Sequence, residues 1–92
     1  MKIFIKKMID LPGIPDKIEL ISGTLKDALY KIYKESQFAD QIINTETGEL
    51  NPDELFEILL NDVHHYSLPY GFNTELKDND TITISFEMLG GG

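Results

Sequence analysis

The sequence predicts an α+β fold, a mixed sheet of four to five strands packed on one main helix. Three observations predict it. Apolar residues alternate with a period of two near both ends, at Met1, Ile3 and Ile5 and again at Ile82 and Ile84, which reads as half-buried strand. Leu25, Ala28, Leu29, Ile32 and Tyr33 recur at helical spacing and make one apolar stripe. Turn chemistry rich in Pro, Gly, Asn and Asp separates the periodic segments. A chain of 92 residues supports a single domain near the lower end of self-sufficient cores.

The elements follow in order. The first strand ends at Asp10–Asp16, a stretch with two prolines and a glycine. Ile18 and Leu20 alternate with Lys17 and Glu19 and give a second strand, antiparallel to the first. Ser22-Gly23-Thr24 opens the helix, where Thr24 and Asp27 form a capping box that sets an acid in the first turn. Residues 38–43 read as a short helix or an irregular packing segment, and 44–53 as a polar turn region. Leu55 to Leu60 reads as a strand with Phe56, Ile58 and Leu60 inward and Leu55, Glu57 and Leu59 outward. Asn61-Asp62 is a tight hairpin turn, and Val63 to Tyr66 a short fourth strand. Leu68 to Leu76 is a loop, and Lys77 to Asp80 a turn before the last strand, Thr81 to Phe86. The first and last strands are expected to meet in the middle of the sheet.

Composition excludes several functions. With no cysteine there is no disulfide framework, thiol nucleophile or thiolate metal site. The longest apolar stretches are far short of the ~20 residues of a membrane span, and Met1 to Lys7 does not read as a signal peptide, so the expected compartment is the cytoplasm, with no membrane partner. A net charge of −8 without arginine points away from nucleic acid and toward a basic protein partner.

The chain carries no self-sufficient catalytic constellation. His64 and His65, adjacent in a strand, would point to opposite faces and share no metal. Asp78-Asn79-Asp80 echoes part of a calcium loop, but the loop's glycine and distal glutamate are absent. No bound cofactor and no metal are expected.

The end of the sequence, Met88-Leu89-Gly90-Gly91-Gly92, is different. A glycine-rich end can be a featureless terminus. It can also be a thin, flexible strand that fits a narrow channel and presents a carboxylate. The domain is then 1–87 and the tail 88–92.

Two segments carry a resemblance. Glu57-Ile58-Leu59-Leu60-Asn61-Asp62-Val63 and Leu76-Lys77-Asp78-Asn79-Asp80-Thr81-Ile82-Thr83-Ile84, together with the helix opening Ser22-Gly23-Thr24-Leu25-Lys26-Asp27-Ala28-Leu29, resemble the MoaD/ThiS family of ubiquitin-like sulfur carriers. The pattern is closest to the small subunit of molybdopterin synthase. The resemblance implies a β-grasp (ubiquitin-like) fold. It also implies that an E1-like enzyme adenylates the C-terminal glycine with ATP. A sulfur donor then makes a thiocarboxylate that delivers sulfur in cofactor biosynthesis. The acceptor is the large subunit of molybdopterin synthase, or another sulfur acceptor enzyme such as one making the thiazole of thiamine. Some relatives are instead conjugated to lysines. The reactive residue is Gly92, or Gly91 if Gly92 is one residue extra. The family's tail prolines are absent here, and Asp62 stands where the family's hairpin has glycine.

Partner contacts are expected from Gly90, Gly91, Leu89, Met88 and Phe86 of the end segment. Phe4 and Leu59 should join them, placed by strand alternation on the sheet face away from the helix. Neighbouring strands would bring Phe4 and Leu59 into one exposed apolar patch, and docking on that face fits ubiquitin-like folds.

Overall fold

The computed structural model describes residues 1–8, 13–34, 36–37, 39–44, 46–50 and 57–85. The strands are β1 (Lys2–Lys7), β2 (Lys17–Glu19), β3 (Glu57–Leu60), β4 (Val63–His64) and β5 (Thr81–Ser85); the helices are α1 (Leu25–Tyr33) and the four-residue α2 (Ala39–Ile42). The strands form one mixed five-stranded sheet in the order β2-β1-β5-β3-β4. β1 and β5 pair in parallel at its centre, and every other pair is antiparallel.

Alternation sorts each strand into two faces. Ile3, Ile5, Ile18, Ile58, Leu60, Ile82 and Ile84 turn inward and meet the α1 stripe Leu25, Ala28, Leu29, Ile32 and Tyr33, all buried. The helix begins where sequence chemistry starts it. The Thr24 amide donates to Asp27 Oδ2 at 2.9 Å, and the Asp27 amide donates to Thr24 Oγ1 at 3.4 Å. Gly23 is required here, because its φ is +151° and a Cβ would stand 3.1 Å from Asp27 Oδ2.

The hairpin turn stands as the sequence predicts. Asn61 and Asp62 have φ of 50° and 70°, the left-handed pair of a type I′ turn.

The structure corrects the fourth strand. β4 stops at His64, and His65–Ser67 forms a 3₁₀ turn. Long-range contacts account for it. The His65 ring stacks on Phe72 with centroids 4.5 Å apart, and its Nδ1 lies 3.3 Å from the Ile58 carbonyl oxygen. The loop of 68–76 is also more ordered than its sequence suggests. It carries a 3₁₀ turn at Gly71–Asn73. It then straps the start of α1, with the Leu25 amide on Thr74 O at 2.9 Å and the Leu76 amide on Gly23 O at 3.0 Å. The segment left open between helix and irregular packing contains α2, whose Ile42 is buried in the core.

The Tyr33 side chain is fully buried and its hydroxyl has no hydrogen-bond partner among the described residues. Burial pushes this phenol far above the ordinary tyrosine value. The unfolded chain therefore loses this proton near pH 10 while the folded chain keeps it. The stability so conferred is complete below pH 10 and drains away as pH climbs toward the folded value. Tyr33→Phe should raise stability at neutral pH by about 1 kcal/mol and should lessen the alkaline loss, as measured by urea unfolding at pH 8 and pH 11. Asp62→Gly should stabilise by about 0.5 to 1 kcal/mol, since only glycine meets φ of this sign without strain; the urea midpoint reads this out.

Candidate functional site

The outer face of the sheet, turned away from α1, gathers the candidate residues that fall within the described part of the chain. Phe4 on β1 is 40% exposed, and Leu59 on β3 is half-buried. Phe86, Met88, Leu89, Gly90, Gly91 and Gly92 lie outside the described residues, as do Leu55 and Phe56.

The patch expected from Phe4 and Leu59 on neighbouring strands is corrected. β5 lies between β1 and β3, because the last strand enters the sheet beside the first. Phe4 is level with Thr81, and Leu59 with Thr83. Two strand spacings, about 10 Å, separate them across the sheet. The face is built from two cross-strand rows instead. One runs Lys17–Phe4–Thr81, and the other Lys6–Thr83–Leu59–His64.

Thr83 is the centre of the second row. It is only 6% exposed, and its Oγ1 has no hydrogen-bond partner among the described residues. A buried hydroxyl left unpaired costs about 1–3 kcal/mol, so its presence on this face calls for a reason. His64, at the row's end, stacks on Tyr66 at a centroid distance of 4.9 Å and an interplanar angle of 18°. Its Nδ1 lies 3.2 Å from Glu57 Oε1. The contact satisfies an ion-pair distance but lies off hydrogen-bond alignment, so Nδ1 also goes without a hydrogen-bond partner.

Charge on this face differs from charge on the chain. Lys2, Lys6 and Lys17 share it with Phe4, and the carboxylate directly opposite Lys2 is Glu19. Sequence reasoning missed this ring of lysines because Lys17 joins Lys2 and Lys6 only through the register of β2 on β1. The same period of two in Lys2-Ile3-Phe4-Ile5-Lys6 and Lys17-Ile18-Glu19 carries the signal.

The other sequence candidates fall into structural roles. His65 packs against Phe72 and Tyr66, away from any partnership with His64 on a metal. No cluster of three or more metal-ligating side chains exists among the described residues. Asp78 accepts from the Lys2 amide at 2.7 Å, and Asp80 accepts from the Lys77 amide at 2.7 Å and from Asn61 Nδ2 at 2.9 Å. These carboxylates shape a turn. Two open depressions, of about 120 and 320 Å³, lie off the outer face, one beside Lys26, Tyr30 and Gly48, the other beside Met1, Ile21 and Glu75. Neither brings together an acid–base pair with a nucleophile. Among the described residues no helix is long and apolar enough to cross a membrane.

Fold and site together define a small α+β domain with one open sheet face. Compared with protein-family models, curated proteins and solved structures, the chain matches none.

Thr83→Val replaces the unpaired hydroxyl by a methyl of similar size. It should raise the free energy of unfolding by about 1 kcal/mol in urea titrations. A loss of stability would mean that the hydroxyl is satisfied within the domain.

Proposed function

We propose that this chain is a sulfur carrier of β-grasp build. An E1-like enzyme joins its C-terminal carboxylate to AMP from ATP, releasing pyrophosphate. Sulfur from a donor, at the level of hydrosulfide, then displaces AMP and leaves a thiocarboxylate on Gly92, or on Gly91 if that is the reactive end. The thiocarboxylate passes its sulfur into cofactor biosynthesis, with the large subunit of molybdopterin synthase as the acceptor we favour.

One observation carries this reading. The two segments on which the family resemblance rests are joined to each other by side-chain hydrogen bonds. Asn61 donates through Nδ2 to Asp80 Oδ1 at 2.9 Å, and its Oδ1 accepts from the Thr81 amide at 2.9 Å. The pattern residues of the hairpin and of the last turn thus fix β3 against β5. The strand order, with β5 parallel to β1 at the centre and one helix across a single face, supports the β-grasp part of the reading. β5 also leads in sequence directly to 86–92, the segment that holds the three glycines.

Intact-mass spectrometry of the protein isolated from its own organism tests this. A species ending in glycine and heavier by ~16 Da, one sulfur in place of one oxygen, is the expected result. Branched lysine adducts would instead identify a protein modifier. An unmodified carboxylate after incubation with the cognate adenylating enzyme, ATP and a sulfur donor would refute carrier and modifier alike. Deleting Gly91 and Gly92 should abolish the mass shift and leave the urea midpoint within error, because the buried core cluster of the described residues ends at Ile84.

A further inference from the structure

The rim of the sheet at β4 differs in charge from the rest of the chain. Residues 63–74 contain no Asp, Glu or Lys, the longest such stretch in a sequence of net charge −8. Of the seven large apolar side chains that stand exposed among the described residues, three belong to it: Val63, Tyr66 and Tyr70, the tyrosines at 71% and 75%. β4 is an edge strand, so the stretch lies at the border of the sheet. Past β4 the chain folds into two consecutive turns, with the Leu68 amide on His65 O at 3.2 Å and the Gly71 amide on Leu68 O at 3.1 Å. Tyr66 and Tyr70 therefore sit on one compact loop beside the edge.

A second observation marks this loop as a contact surface. Tyr66 is exposed and yet held. Its ring stacks on His64 and meets His65 edge-on, with centroids 5.4 Å apart. His65 is stacked in turn on Phe72, which packs against the core. A loose surface side chain loses rotamer freedom when it is covered. This ring has already given up that freedom, so a surface that covers it gains burial at a lower entropic cost.

Charge selects the occupant. A second copy of this chain also carries −8, and two copies repel wherever their carboxylates face each other. The 63–74 stretch lets them meet without that, since Asp62 and Glu75 only border it and Glu57 lies 3.2 Å from His64 Nδ1. A strongly charged partner finds no opposite charge along the stretch. A contact between identical patches needs only self-complementarity, which aromatic rings supply by offset stacking. The exposed parts of Tyr66 and Tyr70, both copies counted, come to about 600 Å². That lies below the roughly 1,200 Å² at which standard interfaces begin, so the association is weak and depends on concentration.

We infer that the β4 edge is a self-association surface, on which Val63, Tyr66 and Tyr70 dock against a second copy of this chain. The sulfur-carrier reading neither requires this contact nor fails with it.

Sedimentation equilibrium of the full chain, from about 10 µM to about 1 mM, tests the inference. Wild type should show a monomer–dimer equilibrium. Its Kd should fall at least about threefold between about 50 and about 500 mM NaCl, because screening removes the repulsion between like-charged copies. Tyr66→Ser/Tyr70→Ser should raise Kd at least about tenfold. Tyr30→Ser, at an exposed tyrosine of α1, should leave Kd unchanged. An unaltered urea midpoint certifies the fold of each variant. If the serine pair lowers that midpoint, amide NMR of wild type on dilution decides instead, and the resonances that move should be those of 63–73. Wild type that stays monomeric at the highest concentration overturns the inference. So does a dimer that a folded serine pair leaves intact, one that Tyr30→Ser dissolves, a Kd that holds or rises with salt, or dilution shifts centred on another surface such as Phe4 and Lys6.

Discussion

The parallel pairing of β1 with β5 is the constraint on which the rest of the structure depends. It joins strands at opposite ends of the described chain, Phe4 with Thr81 and Lys7 with Ile84. A parallel pair cannot close through a tight turn and needs a long crossover. Here β2, α1, α2, β3 and β4 all lie in that crossover. Its register is pinned at the entry to β5. The Asn79 amide donates to Lys2 O at 2.7 Å, the Phe4 amide donates to Asp80 O at 2.9 Å, and Asp78 takes the Lys2 amide. A slip of one residue would turn Ile82 and Ile84 out of the core and Thr83 into it. With β5 held there, β3 has one free edge to pair with, and α1 has a continuous floor of isoleucines to cover.

How much of this was legible in the sequence depended on the range of the interactions. The α1 stripe and its Thr24–Asp27 capping box were legible because each is decided within two turns of helix. The Asn61-Asp62 turn was legible for the same reason. The end of β4 was not, since the ring of Phe72 and the carbonyl of Ile58 draw His65 out of the strand. Ile14 and Leu76 are buried in the core from loop positions, where no periodic pattern identifies a residue as internal.

The candidate site shows the same division. Alternation correctly gave the faces of Phe4 and Leu59. It could not give their separation, because strand order is a property of the sheet and not of any strand. The lysine ring needed both kinds of information. Lys2 and Lys6 could be placed beside Phe4 from β1 alone, but Lys17 joins them only through the antiparallel register of β2. The end segment was found by composition alone, and Phe86 to Gly92 lie outside the described residues.

The two faces of the sheet answer to different physical demands. The inner face is settled by burial of isoleucines and leucines against α1, each contributing roughly 1.5–3 kcal/mol. On the outer face the gains from burial stop short. Phe4 keeps part of its ring in water, and three like charges surround it. Thr83, only 6% exposed, holds an Oγ1 with no hydrogen-bond partner among the described residues. For a domain whose net stability is of order 5–15 kcal/mol, such features are not negligible. Replacing Thr83 by an apolar residue of the same shape and alternating the charges around Phe4 would stabilise the isolated domain without changing the fold, since the inner-face isoleucines and the turn bonds at the entry to β5 fix the register. A core settled on the inner face leaves the polarity of the outer face free to vary without loss of the fold.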